Sequence, residues 1–106
     1  MAALDTTILQ EITRRLVAEF KPEKIFLFGS RAWGTSRDDS DIDLLVVIAE
    51  SMERPASLAY RAHRCLEGID FSKDVLVKSR SDVEKYKDVR ASLIHRILKE
   101  GKALYG

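Results

Sequence analysis

Residues 24–48 read KIFLFGSRAWGTSRDDSDIDLLVVI, and the order of signals along this stretch decides the fold. Two short apolar runs, Lys24 to Phe28 and Asp41 to Ile48, are rich in branched or aromatic residues and bounded by turn signals, so both predict buried strands. Gly29 and Ser30 fall where the first strand ends. There, Gly lets the backbone approach a ligand closely. Ser30 and the backbone N–H groups after it can hold phosphate oxygens if a short helix starts at Arg31. Asp41 and Asp43 are two apart on the second strand, so they point to the same face, roughly 6.5 Å apart at the backbone.

Two carboxylates on one face suit divalent metals. Two ions about 3.5 to 4 Å apart clamp the attacking and leaving oxygens of an in-line displacement. Hard Mg2+ takes one or two carboxylates together with substrate phosphates and water. The chemistry that needs this set is nucleotidyl or phosphoryl transfer. A third carboxylate is expected nearby: Asp74, in Phe71 to Lys78 (FSKDVLVK), opens a Val-Leu-Val run that pairs beside the Asp41 strand. Asp70, in the turn before it, is the runner-up.

Gly29-Ser30-Arg31-Ala32-Trp33-Gly34, Ser40-Asp41-Ile42-Asp43-Leu44-Leu45-Val46 and Lys73-Asp74-Val75-Leu76-Val77 together resemble the nucleotidyltransferase superfamily that includes DNA polymerase beta and kanamycin nucleotidyltransferase. The segment Ile97 to Tyr105 extends the resemblance to the minimal branch, the small MNT antitoxins that work with HEPN-domain toxins. Gly-Ser and Asp-x-Asp at this spacing, between strands and followed by an Asp-bearing strand, form a specific signal; Asp-x-Asp alone does not. Many relatives carry a basic residue where this chain has Trp33. The residue then either stacks on a nucleobase or partner, or covers the core beside the turn. Arg31 is the better phosphate ligand, with Arg37 behind it.

With 106 residues the chain reads as one domain, 1–106, able to bury roughly 65% of its unfolded surface. Its 18 Lys and Arg against 17 Asp and Glu leave it nearly neutral, which argues against dedicated nucleic-acid binding. Asp38, Asp39, Asp41 and Asp43 nonetheless crowd one junction, and such repulsion is best tolerated where a cation binds. Cys65 stands alone and reads as a small buried helix residue. No signal peptide or membrane span is visible in the sequence, so a cytoplasmic location is expected.

The outward pass predicts an α/β (α+β) fold, a small mixed sheet with helices packed mainly on one side. An apolar stripe predicts a helix over Leu4 to Phe20, capped by Asp5 or Thr6 and ended with help from Pro22. Pro55 opens a helix that runs to about Glu67 and stops at Gly68. Ser81-Asp82-Val83-Glu84 is a capping box, and a last helix is expected from about Val89 to Leu104. Asp39, Asp41 and Asp43 alternate as an EF-hand loop opens, but Leu44 and an apolar strand follow, which excludes a calcium loop. Arg90 and His95 match the Arg-x4-His spacing of HEPN ribonucleases. On a continuous helix they diverge by about 140°, so the match is read as coincidence. His63 is expected on an exposed helix face.

Three functions remain open. In the first, the Gly29-Ser30 turn and Arg31 hold the triphosphate of a nucleoside triphosphate. Asp41 and Asp43 bind two Mg2+, and Asp74 ligates the catalytic metal and takes the acceptor's proton. The resemblance implies ATP as donor and a tyrosine of a HEPN toxin as acceptor, so that AMP transfer silences the toxin. In the second, the same fold is a binding module that neutralises its toxin by contact; the intact Ser30, Asp41, Asp43 and Asp74 favour the enzyme. The third, a small-molecule nucleotidyltransferase of the antibiotic-modifying kind, lacks the extra domain that builds a drug pocket. The sequence leaves a homo-oligomer open.

Overall fold

Alternation of apolar side chains along each strand sends half of them to either face of the central sheet, and helices cover both faces. The computed structural model describes residues 6–33 and 41–106. Within them the chain runs α1 (Thr6–Phe20), β1 (Lys24–Phe28), α2 (Ser30–Trp33), β2 (Ile42–Ile48), α3 (Pro55–Cys65), β3 (Lys73–Ser79), α4 (Arg80–Tyr86), α5 (Leu93–Glu100) and β4 (Lys102–Tyr105). Leu4, Asp5, Gly34, Arg37, Asp38, Asp39 and Ser40, which carry expectations from the sequence, lie outside the described residues. The strands lie in the order β3-β2-β1-β4. β1 is antiparallel to β2 and β4, whereas β2 and β3 are parallel and α3 makes the crossover between them. The mixed sheet is the expected one.

One face carries the larger core. Ile25 and Leu27 of β1, Ile42, Leu44, Val46 and Ile48 of β2, and Val75 of β3 meet Ile12 and Leu16 of α1 and Leu58 and Ala62 of α3. The two longest helices thus sit together on one side, as expected. α5 departs from that arrangement. Its Ile97 packs on the opposite face with Phe26, Phe28, Leu45 and Val47, and Trp33, Leu76, Val83 and Leu98 lean on this second cluster. No helix among the described residues is long and apolar enough to cross a membrane.

The end of α1 is the expected one, and later boundaries shift for identifiable reasons. α1 ends at Phe20, where Lys21 turns to a φ of +46° and donates its N–H to the Val17 carbonyl at 2.9 Å before Pro22. The expected capping box at Ser81 is replaced by Ser79, which accepts from the Asp82 N–H at 3.2 Å; Ser81 instead donates its N–H to the Glu50 carboxylate at 3.0 Å. The last helix is much shorter than the predicted Val89 to Leu104. Ser92 caps its start by accepting from the His95 N–H at 3.0 Å. It stops at Glu100 because Gly101 is extended and closely packed: a Cβ there would lie 2.6 Å from the Ile97 carbonyl oxygen and 3.0 Å from that of Leu27. Lys102–Tyr105, read from sequence as helix, then pairs with β1 through Lys102–Leu27, Ala103–Phe26 and Tyr105–Ile25. Pairing overrides local propensity in a segment this short.

Burial along α5 separates anchor from surface. Ile97 is fully buried, whereas Leu93 is 46% exposed. Ile97→Val should therefore lower the free energy of unfolding by about 0.5–1.5 kcal/mol in urea denaturation, while Leu93→Ala should change it by less than about 0.5 kcal/mol.

Candidate active site

The site is built where β1, β2 and β3 carry their polar residues to one end of the sheet. Gly29 ends β1 with a φ of +77°, a conformation that favours glycine. Its carbonyl accepts the N–H groups of Ala32 at 3.0 Å and Trp33 at 2.9 Å, which closes the single turn of α2 and sets Ser30 and Arg31 at its start. Asp43 lies opposite Phe28 in the antiparallel ladder. Its carboxylate rests against Gly29 so closely that a Cβ on that residue would fall 2.1 Å from Oδ2. The group that approaches the Gly29 backbone in this structure is a carboxylate of the same chain.

On the other side of β2, parallel register places Asp43 opposite Asp74. Neighbouring strands lie about 4.8 Å apart, so these two side chains share one edge of one face. Asp41 sits just before β2, where the Ile42 N–H donates to the Ser72 carbonyl at 2.8 Å and holds the strand entrance. Burial, then the negative charges of Asp74 and Asp41, push the Asp43 carboxyl above its ordinary value. Both of the other sequence-selected carboxylates, Asp74 and Asp41, therefore act on Asp43. Asp70 does not join them; its charge acts on Lys73. Lys73 precedes Asp74, yet its Nζ donates to the Ile69 and Phe71 carbonyls, both at 2.7 Å, and so braces the turn.

Arg31 places its guanidinium 5.5 Å from the centre of the Phe71 ring, which brings its charge toward the turn before β3. Trp33 packs on the second core cluster. Covering the core beside the turn is therefore one part of its role. The other part was invisible in the sequence: Arg96 of α5 stacks on the indole, 3.6 Å from the ring centre. No spacing rule links residues that far apart in the chain.

Elsewhere, the sequence expectations divide. His63 is exposed as expected. Cys65 is half-buried at the end of α3, where its thiol donates to the Ala62 carbonyl at 3.2 Å and burial pushes its pKa up. The divergence argued for Arg90 and His95 does not apply, because α5 begins at Leu93 and Arg90 precedes it. Both line an open cavity of about 530 Å3 with Arg96, Lys99 and Glu100. His95 Nδ1 lies 2.7 Å from the Lys87 carbonyl oxygen, a contact that braces the approach to α5.

Residues 10–106 match the family described as Polymerase beta, Nucleotidyltransferase. The chain belongs to that family. Structural likeness agrees with this membership. A candidate nucleotidyltransferase from Sulfolobus solfataricus superimposes with a TM-score of 0.61 and 28% identity, over 77% of this chain and 73% of that one. A toxin–antitoxin structure with AMP-PNP gives a TM-score of 0.61 and 26% identity, over 92% of this chain and 73% of that one. The toxin–antitoxin MntA-HepT shares the fold at a TM-score of 0.58 and 22% identity, over 96% of this chain and 73% of that one. No curated protein matches.

Among the described residues, no three His, Cys, Asp or Glu side chains stand drawn together as a finished metal cage. The donor set nonetheless fits Mg2+. It consists of hard carboxylate oxygens, and burial, followed by two negative neighbours, raises the Asp43 carboxyl; a divalent cation relieves the second of these causes.

Proposed function

We propose that this nucleotidyltransferase moves AMP from ATP to a hydroxyl of a protein partner, a tyrosine of a HEPN-type toxin, and so acts as an antitoxin. The observation that carries the reading is the position of Asp43, between the Gly29 turn and Asp74, in a site rich in negative charge. A structural relative that is a toxin–antitoxin solved with AMP-PNP supports ATP as the donor and a toxin as the partner. Ser30, the N–H groups of α2 and Arg31 hold the triphosphate, and Arg31 supplies charge-assisted contacts. Asp41, Asp43 and Asp74 would hold Mg2+, which when bound neutralises charge on the reacting phosphates. Asp74 takes the proton of the acceptor hydroxyl. The oxygen then bonds to the alpha phosphorus, the bond to the bridging oxygen breaks, and pyrophosphate leaves with the electron pair.

Intact mass spectrometry of the chain incubated with its partner, ATP and Mg2+ tests this directly. One or more adenylates should appear on the partner, and only when ATP and divalent cation are both present. Neutralisation of the toxin with no mass gain would support the contact-only module instead. In the same framework, Arg31→Ala should weaken Mg–ATP binding about tenfold by calorimetry, because a charge-assisted hydrogen bond is lost. If Arg31→Ala instead unfolds the chain, Arg31 is a structural residue and its phosphate role is wrong.

A further inference from the structure

We propose that Arg96 is a positioning residue for the nucleotide: stacked on Trp33, it clamps the one-turn helix that presents Ser30 and Arg31. The inference rests on the proposed role of that turn in phosphate binding. α2 spans only Ser30–Trp33. One turn of helix is not stable by itself, so its placement depends on what its side chains touch. Trp33 is the side chain that ties this turn to the second core cluster. Its Nε1–H is buried and has no hydrogen-bond partner among the described residues. Packing and the Arg96 stack therefore hold the indole in place, and a directional hydrogen bond to the described residues does not.

Arg96 is well supported for such a task. Its Nε donates to Glu100 Oε2 at 3.0 Å, an i,i+4 contact that restrains the guanidinium while its planar face lies on the ring. α5 is itself fixed by buried Ile97 beneath it and by β4 beyond it, where Lys102 pairs with Leu27, two residues before Gly29. The helix bearing Arg96 and the strand leading into the turn are thus joined at both ends of the clamp. The guanidinium acts through the indole on the turn.

Trp33 is the only tryptophan in the chain, so tryptophan fluorescence reports on the surroundings of this one indole. Mg–ATP titrations by calorimetry, with emission spectra of the free proteins, should compare the wild type with Arg96→Ala, Arg96→Lys, Trp33→Leu and the double variant Arg96→Ala/Trp33→Leu. Arg96→Ala should weaken Mg–ATP binding about three- to tenfold and shift Trp33 emission to the red. Arg96→Lys, which keeps the charge without the planar face, should recover part of the affinity. In the Trp33→Leu background, removing Arg96 should cost nothing more, because both residues act through one contact. Additive losses in the double variant would make Arg96 a direct ligand and overturn the clamp. Equal affinity for the wild type and Arg96→Ala would overturn it as well, and leave the phosphate turn standing. A wild type that does not bind Mg–ATP overturns both readings together. Should Arg96→Ala fail to fold, Arg96→Met keeps the aliphatic packing and takes its place in every arm.

Discussion

Asp43→Asn should unfold at a higher temperature than the wild type at pH 7 without divalent cations, yet transfer nucleotide about a thousandfold more slowly. Burial and the charges of Asp74 and Asp41 raise the Asp43 carboxyl above its ordinary value of 3.8, so the folded chain holds this proton more tightly than the unfolded chain does. Stability from this group is therefore present below the ordinary value and is lost as pH rises through the raised one. The gap in melting temperature between variant and wild type should open across that window and stay constant above it. Added Mg2+ should close the gap by stabilising the wild type alone. A variant that melts below the wild type at pH 7 would show that Asp43 is a structural residue. Asp74→Asn should keep Mg–ATP binding but lose transfer, whereas Asp70→Asn should keep both; the reverse result would move the third carboxylate to the turn.

Gly29→Ala should leave a folded protein whose transfer rate falls about a hundredfold. Gly29 and Gly68 both have positive φ, +77° and +89°, so alanine at either position costs about 1–2 kcal/mol of backbone strain. Their surroundings differ. A Cβ at Gly68 meets nothing within 4 Å, whereas one at Gly29 would lie 2.1 Å from Asp43 Oδ2. The carboxylate is the end of a side chain and swings aside at little energetic cost, but a displacement of about 1 Å at a reacting centre can cost a hundredfold in rate. Urea denaturation should give similar stability losses for the two variants, and single-turnover transfer should fall only for Gly29→Ala. Equal rates in both would mean that the Asp43 carboxylate can work from more than one position.

The strands that carry the site were legible because their chemistry is local. Lys24–Phe28 is found as read, and the Asp-x-Asp strand differs only in beginning at Ile42. A strong apolar run between turn signals leaves few alternatives. The place of Asp74 could also be read, since a Val-Leu-Val run following a polar turn predicts a strand beside the Asp-x-Asp strand, and Asp74 is found opposite Asp43. The C-terminal part was not legible for the opposite reason. Lys102–Tyr105 has no alternation strong enough to oppose helix, and only the free edge of β1 turns it into a strand. The cap was read at Ser81 because a capping box is a local pattern, and nothing local shows that Glu50 engages Ser81 and leaves the cap to Ser79. The Arg96–Trp33 stack lies further out of reach, because it depends on α5 crossing the face opposite α1, a placement that follows from the whole sheet.

Pairing of Asp43 with Asp74 along a parallel ladder also sets rules for length variation. One residue inserted between Lys73 and Val75 would send every later side chain of β3 to the wrong face, and a deletion would do the same. The connection before α3 has no such constraint: residues 49–54 are largely exposed, and adding a residue there lengthens a connection without changing any partner across the ladder. A library of single-residue insertions scored for nucleotide transfer should therefore keep survivors within residues 49–54 and lose them within Ile42–Ile48 and Lys73–Ser79. Descendants of such a chain can drift in size through their crossovers while the spacing of the acidic pair across the sheet is inherited unchanged.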